Sequence, residues 1–137
     1  MISGKIEKGD GIGTKISFPT INIVIEKDKK LRGVYVCEVR LGGGSRLKSE
    51  VAEAVFFGAS YVGEKAMLPA DKYICEAFLF DSLDKSVAEF GDLHGKFAKV
   101  KLLKKIRDVQ KTKNLEELKA LISEDVNFAK KFIREKL

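Results

Sequence analysis

Two polar side chains at the head of an apolar run are the first candidates for chemistry in this sequence. In ISFPTINIVI, residues 16 to 25, Thr20 and Asn22 are two apart. On an extended chain they point to one face, while Ile21 and Ile23 take the other. Pro19 fixes its own φ and cannot donate to a sheet ladder, so it belongs at a strand start or an edge. Directly before this run lies GDGIGT, residues 9 to 14, with Gly9, Gly11 and Gly13. Glycines let backbone N–H groups approach a phosphate closely. A hydroxyl and an amide carbonyl beside such a loop could ligate a hard cation that also holds nucleotide phosphates. The loop is not a Walker A motif, because no Gly-Lys-Ser/Thr follows, and not a dinucleotide fingerprint, because a strand comes next. A hairpin loop and a strand with a polar outer face remain the alternative readings.

The third candidate is Glu76. In KYICEAFLFD, residues 72 to 81, it shares a face with Ile74, Phe78 and Phe80, and Tyr73, Cys75, Ala77 and Leu79 fill the other. A carboxylate inside an apolar strand is costly unless partnered, so Glu76 is either paired structurally or used.

The elements that must position these residues follow from periodicity. Most of the chain has period two, with strands expected over 3 to 8, 19 to 25, 33 to 41, 51 to 58, 72 to 80, 86 to 90 and 96 to 104. Tyr35, Cys37, Val39 and Leu41 share one face of their strand, leaving Glu38 and Arg40 on the other. After residue 113 the period becomes helical: Asn114 is the expected N-cap, with Glu117 at the third helical position. Leu115, Leu118, Leu121, Ile122, Val126, Ala129 and Ile133 form an apolar stripe, which Ser123-Glu124-Asp125 could divide into two helices. The expected class is mainly β: an antiparallel barrel over about 1 to 105, capped by a helical segment over about 114 to 136, as one domain around one core.

Composition sets the bounds. The 137 residues are 45% hydrophobic, enough for one folded domain. No apolar run approaches the ~20 residues of a membrane span and no basic-then-apolar leader follows Met1, so a cytoplasmic protein without a membrane partner is expected. Cys37 and Cys75 lie in separate β-like runs and read as buried free thiols. The net charge is +6, and residues 96 to 113 hold eight Lys or Arg against one acid. Lys99 and Lys101 alternate with Ala98, Val100 and Leu102, as on a half-buried strand with lysines facing water. Nucleic acid is not the expected partner, since Phe97 is the stretch's only aromatic and bases would have little to stack on. His94, the one histidine, reads as a structural turn residue.

The order of these motifs resembles the riboflavin kinase family. The resemblance runs from Gly9-x-Gly11-x-Gly13 through Phe18-Pro19-Thr20-x-Asn22-Ile23, Gly33-Val34-Tyr35, Glu76, Asp92-Leu93-His94-Gly95-Lys96 and Ile106-Arg107-Asp108 to Leu115-Glu116-Glu117-Leu118 and Asp125. It implies a six-stranded antiparallel Greek-key barrel that transfers the γ-phosphoryl of ATP to the 5′-hydroxyl of riboflavin, giving FMN. Thr20 and Asn22 would hold Mg2+, and with Pro19 and the Gly9, Gly11, Gly13 loop they would form the nucleotide site. Glu76 would be the general base, and Arg107 would lie in a loop on the flavin side. Riboflavin and ATP would be the small-molecule partners, a monomer would suffice, and FAD formation is not expected from these residues. Gly13-Thr14, Ser17, Phe56-Phe57-Gly58, His94, Val109 and Thr112 depart from the family's usual residues, more on the flavin side than on the nucleotide side. A non-catalytic flavin or nucleotide-binding module, or a kinase of a related small alcohol, are the alternatives.

Overall fold

The computed structural model describes residues 1–7, 19–41, 54–80 and 96–136. The GDGIGT loop, the expected strand over 86 to 90, and His94 lie outside them.

Six strands form one antiparallel sheet: β1 (Ile2–Lys5), β2 (Thr20–Glu26), β3 (Gly33–Leu41), β4 (Ala54–Gly63), β5 (Lys72–Phe80) and β6 (Phe97–Arg107). Their order is β1-β6-β3-β4-β5-β2. Three successive strands with β6 returned beside the first of them, β3, make a Greek key. The sheet then curls until its edges meet. Past the end of β1, Ile6 N donates to Lys96 O on one side, and Glu7 N donates to Asn22 O on the other, both at 2.8 Å. The Glu7–Asn22 bridge brings β2 against the start of the chain and nearly closes the barrel. Gly4 permits that approach, because a Cβ there would stand 2.8 Å from Ile23 Cγ2.

The period-two faces sort as the alternation predicts. Ile21, Ile23, Cys37, Val39, Leu41, Phe56, Tyr73, Cys75, Ala77, Leu79, Ala98 and Val100 fill the barrel, Tyr73 and Phe56 being the largest of them. Lys99 and Lys101 face solvent. Both cysteines are free and buried. Burial pushes the Cys37 thiol up to about 12 and the Cys75 thiol further in the same direction, so neither is a thiolate at neutral pH.

The helical expectation needs two corrections. A single helix, α1 (Leu115–Lys136), runs through Ser123-Glu124-Asp125 without a break. Its start is as expected: Asn114 Oδ1 accepts from Glu117 N at 2.9 Å, and Glu117 Oε1 accepts from Lys113 N at 3.1 Å. The helix also lies along the barrel wall. Ile122, Val126, Ala129 and Ile133 pack on Val36, Ala59 and Phe78, which project outward from β3, β4 and β5. The described residues therefore form two apolar clusters, one inside the barrel and one between wall and helix, where a single core was expected.

Two strands run further than the sequence suggests. β4 continues past Gly58 to Gly63, pairing Gly58 with Cys37 on one side and Leu79 on the other. β6 continues to Arg107, accommodated by register shifts opposite Val34/Tyr35 and Val36/Cys37.

Candidate active site

Strand register brings the separate sequence motifs into one row. Antiparallel pairing sets Asn22 of β2 opposite Glu76 of β5, and Glu76 opposite Tyr61 of β4. Thr20 lies opposite Phe78, one step along the same outer face. Glu76 thus has a carboxamide on one flank and a phenol on the other, with Ile74 and Phe78 along its own strand. It is 8% exposed and Asn22 3%. Pro19 immediately precedes β2, and its carbonyl accepts from Leu79 N at 2.8 Å. It starts the strand as expected, contributing an acceptor where it has no donor.

Asn22 Oδ1 is buried and has no hydrogen-bond partner among the described residues. A buried amide oxygen without a donor suits a hard cation, which takes oxygen ligands. Thr20, half-buried on the same face, adds a second oxygen two residues away. The donor set fits Mg2+, which takes few protein ligands when nucleotide phosphates and water supply the rest.

On the other flank of Glu76 opens a cleft of about 660 Å3. One wall is the outer face of β5 with Ile74, Glu76 and Phe78. Strand β4 contributes Tyr61, and the β4–β5 connection the segment 64 to 67. The segment after β6, with Val109, Gln110 and Thr112, and the helix residues Leu118, Leu121, Ile122 and Asp125 complete it. The lining is largely apolar with a few charged groups, the composition of a small-molecule site, and the volume suits a fused-ring ligand.

The charged groups of the cleft occur in opposed pairs. Lys65 Nζ lies 4.0 Å from Glu76 Oε2. Arg32 Nε donates to both carboxylate oxygens of Glu64, at 2.8 and 2.9 Å. A hydrogen bond from its own backbone, then the one from Arg32, lowers the Glu64 carboxyl below its ordinary range. Tyr61 Oη donates to Glu64 O at 2.7 Å, tying off the turn. Burial, then the Glu64 charge, holds the Tyr61 phenol above its usual value, so it stays protonated at neutral pH.

Arg107 lines the cleft but is placed differently from the expectation. It is the last residue of β6, paired with Val34, and not in a loop. Its Nε and one terminal nitrogen donate to the two oxygens of Asp125 at 2.9 and 2.7 Å. The other terminal nitrogen donates to Asp108 O at 3.1 Å.

The structure therefore brings together Thr20, Asn22 and Glu76, with Pro19 at the same strand end, and puts Arg107 on the far wall. Gly9, Gly11 and Gly13 lie outside the described residues. Sequence reasoning missed Tyr61 and Lys65. A tyrosine two residues after Ala59, on the face opposite the barrel core, was the available signal, but it required β4 to extend past Gly58.

Comparison with known proteins supplies the family. The family model described as "Flavokinase: Riboflavin kinase" matches residues 1–133. The bifunctional riboflavin kinase/FMN adenylyltransferase of Escherichia coli K12 is 35% identical over 132 residues, which is 96% of this chain and 37% of that protein. Its namesake in Haemophilus influenzae is 29% identical over 132 residues, covering 96% and 38%. The chain thus spans little more than a third of the length of these curated relatives. A solved chain described as a macrolide-efflux protein from Streptococcus pneumoniae superposes with TM-score 0.61 at 24% identity, over 90% of this chain and 36% of that one. At that identity the likeness speaks for the fold alone. With the family match over nearly its whole length, a carboxylate between an unpartnered amide oxygen and an apolar cleft, and a six-stranded Greek-key barrel to hold them, this chain belongs to the riboflavin kinase family.

Proposed function

We propose that this chain phosphorylates riboflavin, transferring the γ-phosphoryl of ATP to the ribityl 5′-hydroxyl to give FMN and ADP. The observation that carries the reading is the row Asn22–Glu76–Tyr61: one carboxylate stands between the face fit for a metal-bound nucleotide and the cleft fit for a ring system.

In this reading riboflavin lies in the cleft with its ribityl chain toward β5. Glu76 takes the proton of the 5′-hydroxyl as that oxygen bonds to the γ-phosphorus. The bond from the γ-phosphorus to the bridging oxygen breaks, and the electron pair leaves with ADP. Phosphoryl transfer asks a protein mainly for positioning and for stabilisation of charge. Thr20 and Asn22 would hold the Mg2+, which supplies charge neutralisation at the phosphates. Pro19 fixes the start of the strand bearing them, and Gly9, Gly11 and Gly13 would cradle the phosphates. The apolar surfaces of Ile74, Phe78, Leu118, Leu121 and Ile122 exclude water from the acceptor. We take the enzyme to act as a monomer in the cytoplasm, where ATP is supplied.

Incubating the purified chain with riboflavin, ATP and Mg2+ should yield FMN on chromatography; no FMN would overturn the assignment. The metal assignment has its own test. Thr20→Val and Asn22→Ala should each weaken Mg2+-dependent nucleotide binding by about tenfold or more, the size of a lost bond to a charged group. Unchanged affinity in both variants would remove these two residues from the metal site.

A further inference from the structure

The segment between β6 and α1 forms one side of the cleft without regular secondary structure of its own. Val109, Gln110 and Thr112 project from it toward the cleft, so whatever fixes this segment shapes the acceptor side. At its far end the Asn114 cap ties it to the helix. At its near end Lys105 Nζ meets Asp108 Oδ1 at 2.6 Å, in an exposed pair. The more enclosed tie is the Arg107 guanidinium, which gives two nitrogens to Asp125 in a part-buried pair and the third, in an exposed bond, to the Asp108 carbonyl.

Asp125 is the unusual member. It is 5% exposed, on the buried stripe of α1 beside Ile122 and Val126. A carboxylate in that position is costly unless its partner is well placed. The fork of Arg107 meets both its oxygens, the geometry in which guanidinium and carboxylate fix one another's orientation. One side chain thereby joins three parts: the end of β6, the helix and the first residue of the lining segment.

We infer that Asp125 is a positioning residue for the acceptor: through Arg107 it sets the wall formed by Val109, Gln110 and Thr112, and Arg107 acts on riboflavin by holding that wall. The inference rests on the reading of the cleft as the riboflavin site. The nucleotide face, reached through Asn22 and Thr20 on the other flank of Glu76, should be indifferent to it.

The test is a double-mutant cycle on the full chain, reading riboflavin affinity by the quenching of its fluorescence and nucleotide affinity separately. Asp125→Asn and Arg107→Gln should each weaken riboflavin binding about tenfold or more, and the double variant should lose no more than either alone, because one arrangement is destroyed in all three. Mg2+-nucleotide affinity should stay within twofold, which also reports that the barrel is folded. If Asp125→Asn proves too unstable to purify, Arg107→Lys serves: it keeps the charge but cannot fork, and should show the same selective loss. Riboflavin affinity unchanged in Asp125→Asn and lost in Arg107→Gln would overturn the inference in favour of a direct contact from Arg107. A parallel loss of nucleotide affinity would overturn it in favour of general destabilisation. Failure of the unmodified chain to bind riboflavin would instead defeat the proposed function.

Discussion

Replacing Glu76 with Gln is expected to lower FMN formation by about 10²–10⁴-fold, the usual worth of a positioned proton transfer, with little change in affinity for riboflavin or nucleotide. Gln keeps the length of the side chain and one acceptor oxygen, but it cannot take the proton of the acceptor hydroxyl. The alternative role for Glu76 is structural, as the anionic partner of Lys65 on the outer face of β5. In that case Gln would remove the charge that faces the Lys65 ammonium, and stability, binding and turnover would fall together. Measuring FMN formation, ligand affinity and thermal unfolding on the one variant separates the two. A Gln variant as active and as stable as the unmodified protein would take Glu76 out of the mechanism.

Gly58→Ala is expected to be the more damaging change to the fold, although propensity argues the other way. Inside a strand, Ala in place of Gly should gain roughly 0.5–1 kcal/mol. Here a Cβ would lie 2.3 Å from Phe78 O, 3.0 Å from Phe78 C and 3.2 Å from Leu79 Cα, all of them backbone atoms. No rotamer change relieves such a contact, so β4 and β5 must separate locally. Overpacking of this kind costs about 1–3 kcal/mol, occasionally more; set against the propensity gain this leaves a net loss of about 1–2 kcal/mol, which should lower Tm by roughly 3–8 °C. An unchanged or higher Tm would show that the two strands do not approach so closely.

Gly58 also explains the largest error in reading the fold from sequence. In FFGASYVG the glycine looks like punctuation, and a strand ending there is the natural expectation; in the barrel it marks a close approach in mid-strand. By contrast Gly33–Leu41 and Lys72–Phe80 have the bounds that alternation predicts, because both carry large apolar residues on one face and meet turn residues at their ends. The candidate site divides similarly. Thr20, Asn22 and Glu76 were legible because each breaks an apolar pattern in a way that period two can place on a face. Their adjacency was not, since it depends on the register of β2 against β5. Lys65 sits in a turn without periodicity, and Asp125 reads locally as a helix breaker. Only its long-range partner, Arg107, reveals why a charge is tolerated on the buried stripe.

The meeting of Glu7 and Asn22 gives the barrel a seam, and the seam runs through the donor site. The Asn22 backbone carbonyl holds the start of the chain, while its buried side-chain oxygen, without a partner among the described residues, is the ligand proposed for the metal. A cation that fixes this side chain also restrains the backbone that closes the barrel, so donor binding and closure reinforce one another. By mass action, a ligand that binds only the closed form at a hundred times its Kd stabilises that form by about 2.7 kcal/mol. The Glu7 amide proton should then exchange with deuterium about 100-fold more slowly once Mg2+ and nucleotide are bound, while amides in the centre of β3 keep their rates. The hydrogen bond that completes the barrel would thus double as a built-in reporter of whether the phosphoryl donor is in place.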